Sequence, residues 1–426
     1  MYKSYFLIIS LLCFSSCSNE DSKSSFLLDS ENEKSISSLI NDMTIEEKVG
    51  QTCQITLDAI LKKDSSGVLL EPHQIDQKKL DQAILEYNIG SVLNVSNHTF
   101  SLETWHSIID DIQTIALTTN HKIPIIYGVD AIHGATYIQN STLFPQEIGL
   151  AATWDTSHAR VMGAITAYET RASGIPWNFS PVLDIGRNPL WSRFWETFGE
   201  DPLLVTEMGE AIIKGYQGDN IGHPEKVAAC MKHFLGYSSP NNGKDRTQAF
   251  IPEVTLREYY LPMFERAIEI GAATVMINSG EINGIPVHAN PRILKDLLRD
   301  ELGFTGLAVS DWEDIKYLTS RHRVAADYKE AIKIAINAGI DMSMVPVDLE
   351  FPVLLKELVE EGEVPMSRID ESVERILTLK IQLGLFEKSF LPKENFPKFA
   401  SDEHVEASLK AAEESITLLK NKAVKK

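Results

Sequence analysis

Residues 123–130 read Ile123-Pro124-Ile125-Ile126-Tyr127-Gly128-Val129-Asp130, and Ala131-Ile132-His133-Gly134 follows. A short apolar run without polar alternation is the pattern of a strand covered on both faces, and this one stops on an ionisable residue. The pattern recurs at residues 49–55, 89–95, 175–184, 227–235, 273–281, 306–312 and 340–345. Amphipathic stretches at 159–173, 203–217, 256–269, 291–302 and 325–337 lie between these runs, with Pro291 at a first-turn position and glycines after several ends. Eight strand-and-helix units in roughly 330 residues predict an α/β fold, a closed TIM-like (β/α)8 barrel over residues 36–385. An open doubly wound sheet is the other arrangement the alternation allows. No Gly-x-Gly-x-x-Gly opens a helix after the first run, so a dinucleotide site has no anchor and no cofactor is expected.

The composition supports a packed core. Hydrophobic residues make up 43% of the 426, charged residues 23%, and Gly and Pro are few at 24 and 18, which excludes a disordered or collagen-like body. Forty Lys and Arg against 60 Asp and Glu leave a net charge of −20, a field that repels phosphate backbones and anionic headgroups. Nucleic acid is therefore not an expected partner.

The N-terminus reads as an address. Lys3 precedes the apolar run 5–14, which is about half the length that a spanning helix needs. Phe14-Ser15-Ser16-Cys17 then runs into Ser18-Asn19-Glu20-Asp21, similar to a lipoprotein processing box. Residues 1–17 are thus expected to be a lipoprotein-type signal with lipidation at Cys17, giving an exported protein, periplasmic or membrane-anchored. A plain secretory signal is the alternative. Residues 18–35, rich in Ser, Asp, Glu, Asn and Lys, read as a flexible tether. Cys53 and Cys230 sit inside apolar runs and are expected as buried thiols, a disulfide between them being open in an oxidising compartment.

In a parallel barrel all strands end on one face, so polar residues at run ends converge however far apart they are in sequence. Asp130 and His133 follow the third run, Lys232 and His233 end the fifth, and Ser310-Asp311-Trp312 ends the seventh. A loop after the fourth run carries Arg193-Phe194-Trp195-Glu196 and Phe198-Gly199-Glu200-Asp201-Pro202. Carboxylates and cations hydrogen-bond sugar hydroxyls, tryptophan packs on a pyranose face, and a carboxylate can attack an anomeric carbon. His133, His233 and an aspartate could alternatively hold zinc, but no His-x-His or Glu-x-x-His pair supports this and Lys232 opposes a cation beside His233. No metal is expected there.

At these residues the chain resembles glycoside hydrolase family 3, the retaining exo-acting β-glucosidases and their relatives. The resemblance rests on Gly128-Val129-Asp130-Ala131-x-His133-Gly134, Arg193-x-x-Glu196, Lys232-His233-Phe234, Gly243-Lys244-Asp245-Arg246, Met276-Ile277-Asn278-Ser279-Gly280-Glu281 and Ser310-Asp311-Trp312, in the family's order, and covers residues 36–421. It implies Asp311 as nucleophile and Asp130 as ligand of O4 and O6 of a terminal glucose. Arg193, Lys232 and His233 would surround the remaining hydroxyls, Trp312 would pack beside the sugar, and Glu196 would aim Arg193.

A retaining glycosidase needs a second carboxyl about 5 to 5.5 Å from the nucleophile. In the branch that this chain resembles, that acid/base comes from an α/β sandwich domain after the barrel. Residues 386–426 are expected to be a linker and the start of such a domain, truncated, with the acid/base supplied by a missing domain or a second polypeptide. The Asp-x-His pair of the hexosaminidase branch has no counterpart in residues 236–246, and Glu281 reads as support for the pocket floor rather than as a substitute acid. The expected substrates are β-linked glucosides or oligosaccharides; a glycan-binding or inactive remnant is the alternative, and a metal-dependent hydrolase the third reading.

Overall fold

All eight runs become strands of one parallel barrel in the computed structural model, which describes residues 30–422. These are β1 (Cys53–Thr56), β2 (Ser91–Leu93), β3 (Ile126–Val129), β4 (Trp177–Asn178), β5 (Ala228–Phe234), β6 (Thr274–Ile277), β7 (Leu307–Val309) and β8 (Ser343–Met344). Each pairs with its sequence neighbours and β8 pairs with β1, leaving one seam between β7 and β8. A parallel bridge between Val309 and Met342 closes that seam. The expected signal segment, Cys17 and the expected tether up to residue 29 lie outside the described residues.

Large side chains fill the interior. Trp177, Phe179, Cys230, Met276, Leu307, Val309 and Met342 form one buried cluster inside the barrel, and the Trp177 indole N–H donates to Thr274 Oγ1 at 2.9 Å. Gly128 is part of this fit, since a Cβ there would lie 2.4 Å from Phe179 Cζ. Cys53 and Cys230 are both buried and free, so the disulfide is not formed. Burial pushes the Cys230 thiol up to about 12, and it is inert.

Three boundaries differ from the sequence reading. Residues 49–51 belong to the helix Ile45–Gln51, which Thr44 and Glu47 start with a reciprocal cap, and the strand begins only at Cys53. Residues 30–35, expected within the tether, start the helix Ser30–Asp42, whose Ile36 and Ile40 are buried. Within 386–426, the helix Asp402–Glu414 docks on the barrel: His404 is buried and bonds the fully buried Glu169 at 2.7 Å, and His158 bonds Glu414 at 2.8 Å. The polar spacing of this helix conceals the anchoring in the sequence. Ile416, Leu418 and Leu419 beyond it are exposed.

At the seam, buried Asp341 accepts from the Ala308 N–H at 3.0 Å and from Arg299, Arg368 and Arg375, each at 2.8 Å. Burial alone would raise its pKa; the three guanidinium groups and the Ala308 N–H hold it well below the usual carboxylate range. Because its folded value is depressed, it stabilises above an unfolded value of about 3.9 and that contribution is lost as pH falls. Asp341→Ala is expected to cost about 3–5 kcal/mol, because it leaves buried cations unpaired. Urea denaturation at pH 7 checks this, and the gap between variant and wild type should shrink below pH 4.

Candidate functional site

The strand ends gather as the barrel requires. Asp311 lies two residues past the end of β7, 7% exposed. Its Oδ1 accepts from the Trp312 backbone N–H at 2.5 Å and from Arg246 Nη2 at 3.3 Å. Its Oδ2 accepts from the Ser279 hydroxyl at 2.7 Å and lies 3.9 Å from Arg193 Nη1 and 3.7 Å from His233 Nε2. Burial opposes ionisation of Asp311, but the charges of Arg246 and Arg193 and the Trp312 N–H outweigh it and hold the carboxyl well below the usual range. The group is a carboxylate at every physiological pH.

A second carboxylate, Asp130, follows β3 and accepts from Lys232 Nζ at 2.6 Å and Asn94 Nδ2 at 2.8 Å. Lys232 is buried; burial would lower its pKa, yet the Asp130 charge leaves it raised. Asp130 is only partly buried, so its other lone pairs face the opening.

His233 and Asp184 form a buried pair behind Asp311. Asp184 Oδ2 contacts both the His233 backbone N–H at 3.0 Å and Nδ1 at 2.7 Å, which fixes the ring. Burial pushes Asp184 up to about 8 and His233 well below its ordinary value, so both favour their neutral forms.

The loop after β4 brings Arg193 over the Tyr237 ring, 5.4 Å from its centroid, and Glu196 accepts from Arg193 Nε. Tyr237 in turn donates to Asp245 at 2.6 Å, as does the Trp191 indole at 3.1 Å. Arg246 bonds Asp314 as well as Asp311, and donates to the Trp312 carbonyl at 3.2 Å. Trp312 is half-buried at the rim, packed on the interior cluster.

Asp130, Arg193, Lys232, His233, Asp311 and Trp312 are thus on one face of the barrel, at the ends of β3, β5 and β7 and in the loop after β4. His133 is engaged differently: Nδ1 pairs with the Phe144 carbonyl at 3.0 Å and Nε2 with Gln146 at 3.0 Å, so it braces its own loop. Glu281 bonds His322 at 2.7 Å. Trp177 and Trp191 are buried, whereas Trp195 is half exposed. Sequence reasoning assigned no site role to Asn94, Asp184, Arg246 or Ser279. Asn94 and Asp184 lie within runs whose polar ends were readable, and Arg246 and Ser279 lie within the motifs quoted for the resemblance.

The family model for the glycosyl hydrolase family 3 N terminal domain matches residues 44–379. A lysosomal beta glucosidase of Dictyostelium discoideum is 46% identical over 91% of this chain and 48% of its own length. A Formosa agariphila beta-xylosidase is 38% identical over 70% of this chain and 43% of its own length. Among solved structures, a Listeria innocua beta-glucosidase in complex with glucose superposes with a TM-score of 0.80 at 33% identity, covering 92% of this chain and 52% of that one. The chain spans about half the length of the curated relatives it matches.

Arg246 is the cation bonded to Asp311 at the shortest distance. Arg246→Met is expected to raise the Asp311 pKa toward the ordinary carboxylate range, read from the 13C carboxyl shift of labelled protein against pH. An unchanged Asp311 titration would show that Arg193 and the N–H and O–H donors suffice.

Proposed function

The chain belongs to glycosyl hydrolase family 3, and from that premise we propose that it acts as a β-glucosidase, releasing terminal nonreducing β-D-glucose from β-glucosides or oligosaccharides with retention of configuration. The observation that carries the reading is Asp311: a carboxylate held ionised by two arginines, a hydroxyl and a backbone N–H where the strand ends meet. In the first step an Asp311 oxygen bonds to the anomeric carbon as the C1–O bond to the leaving group breaks, giving a glycosyl ester; in the second, water attacks the same carbon, the ester bond breaks, and the water's proton passes to the conjugate base of the acid that served the first step. Arg246, Arg193, Ser279 and Trp312 N–H orient the carboxylate and stabilise it as leaving group in the second step.

Asp130 and Lys232 receive the hydroxyls on the far side of the ring, O4 and O6. Arg193 and His233 take those nearer Asp311, and Trp312 packs against the sugar. An aspartate at position 130 leaves room for a hydroxymethyl group and favours glucose over xylose. Among the described residues, the acidic side chains near Asp311 each have a partner, Asp130 with Lys232, Asp184 with His233, Glu196 with Arg193 and Asp314 with Arg246, although burial raises the pKa of Asp184 and Asp314. As the resemblance implies, the proton for the leaving group is assigned to an acid from a further domain or a second polypeptide. Export as a lipoprotein anchored through Cys17 belongs to the same reading.

An aryl β-glucoside with a very good leaving group, cellobiose and the matching aryl β-xyloside test it, using protein without residues 1–17. An activated aglycone needs little protonation, so the aryl glucoside should turn over while cellobiose does not unless the acid is supplied. Asp311→Asn should abolish turnover, a loss of at least about 10³-fold, and still bind glucose in calorimetry. Residual wild-type-like activity in that variant would overturn Asp311 as nucleophile. Glucose binding by the wild type with no release from any substrate would favour a glycan-binding protein, and faster turnover of the xyloside would overturn the sugar assignment.

A further inference from the structure

Away from the pocket, two loops of the same barrel face meet at Glu71, His73 and His98. Each of these residues offers one ligand atom, and all three atoms lie within 4.8 Å of one another. Glu71 reaches both rings, with Oε2 3.2 Å from His73 Nδ1 and Oε1 2.5 Å from His98 Nε2. The two rings are stacked at a tilt, centroids 4.0 Å apart, and Phe100 packs edge-on against His73 at 5.4 Å.

Two further observations turn this cluster into a site. His98 Nδ1 donates to the Ser96 carbonyl at 2.7 Å, so Nε2 is the nitrogen turned to the cluster; without an ion it donates to Glu71 Oε1 at 2.5 Å, and zinc would take the place of that proton. Ser96 is itself held by buried Asp58, which accepts from its N–H at 3.1 Å and its hydroxyl at 3.1 Å. A ring nitrogen that donates to a backbone carbonyl while its other nitrogen points at the ligand position is how metal-bound histidines are oriented. The His73 side chain is 2% exposed, and its Nε2 is buried without a hydrogen-bond partner. Nδ1, the other nitrogen, is the His73 atom that faces Glu71 and the cluster.

We infer that Glu71, His73 and His98 form a zinc site joining the loop after β1 to the loop after β2. Two imidazoles and one carboxylate are a common zinc donor set; tetrahedral bonds of about 2.1 Å place donors about 3.4 Å apart, close to the 3.2 Å between Glu71 and His73, while the 2.5 Å between Glu71 and His98 would open by about 1 Å to admit the ion. Glu71 is largely exposed, so water completes the sphere from the solvent side. This departs from the sequence reading, which weighed zinc only at His133 and His233; His73 and His98 are 25 positions apart and nothing local joins them. The ion braces the rim of the pocket, because residues 94–98 carry Asn94 against Asp130 at one end and His98 at the other. The other carboxylate–imidazole group, Asp155, His158 and Glu414, has a single histidine, and its Asp155 caps the helix Thr156–Ala172.

The test equilibrates the full chain with zinc chloride after chelator treatment, then measures metal content by mass spectrometry and affinity by calorimetry. One zinc per chain is expected, with affinity at least tenfold weaker in His98→Ala and in Glu71→Gln, and unchanged in His158→Ala. With 15N-labelled histidine, zinc should shift the ring signals of two of the 11 histidines in the unsubstituted protein, a readout that stands even where His98→Ala fails to fold. Absence of retained zinc, equal affinity in His98→Ala and Glu71→Gln, or loss confined to His158→Ala would each overturn the site.

Discussion

The seam between β7 and β8 is the constraint on which the pocket depends. Seven of the eight strand contacts are ladders, that between β5 and β6 with a register shift, but this one is made by a single bridge and by side chains. Below it, Asp341 ties the Ala308 N–H to three arginines. Above it, the Ser310 N–H donates to the Met342 carbonyl at 2.9 Å and the Met344 N–H donates to Ser310 Oγ at 2.9 Å. Asp311 is the next residue. Closing the barrel and placing the candidate nucleophile are therefore the same set of bonds, and a chain that left the seam open would lose both.

Pocket charge follows from that placement. Burying Asp311 without compensation would neutralise it. Arg246 and Arg193 prevent this, and each is itself restrained by a second carboxylate, Asp314 and Glu196. Lys232 stands in the same relation to Asp130, at 2.6 Å. The result is an alternation of cationic and acidic side chains, each with a fixed direction. Such an array offers a polyhydroxylated ring both donors and acceptors without reorganising, which is the preorganisation that electrostatic catalysis requires.

Much of the architecture was readable because a parallel barrel writes itself as apolar runs that stop on polar residues. All eight runs correspond to strands, and the ends of the third, fifth and seventh hold Asp130, Lys232, His233 and Asp311. What the runs could not show was the relation between loops. Arg246 reaches Asp311 from 65 positions away and Ser279 from 32, so their pairing exists only once the barrel closes. The helix Asp402–Glu414 was missed for the opposite reason: its buried contacts are few, chiefly His404 and Ala411, too sparse for an amphipathic pattern to stand out.

Asp341 and Asp311 show why two buried aspartates on neighbouring strands have different fates. Both are surrounded by arginines, and both have a depressed pKa. Asp341 is fully buried, and its oxygens take five side-chain or backbone donors: Arg299, Arg368, Arg375, Ser372 and the Ala308 N–H. No lone pair is left for chemistry, so it acts as a structural clamp. Asp311 takes only three at hydrogen-bond distance, with Arg193 and His233 standing 3.9 and 3.7 Å off, and it keeps an edge toward solvent. The same ionised carboxylate is inert where donors saturate it and available to an electrophile where the set is incomplete; position along the barrel axis decides which.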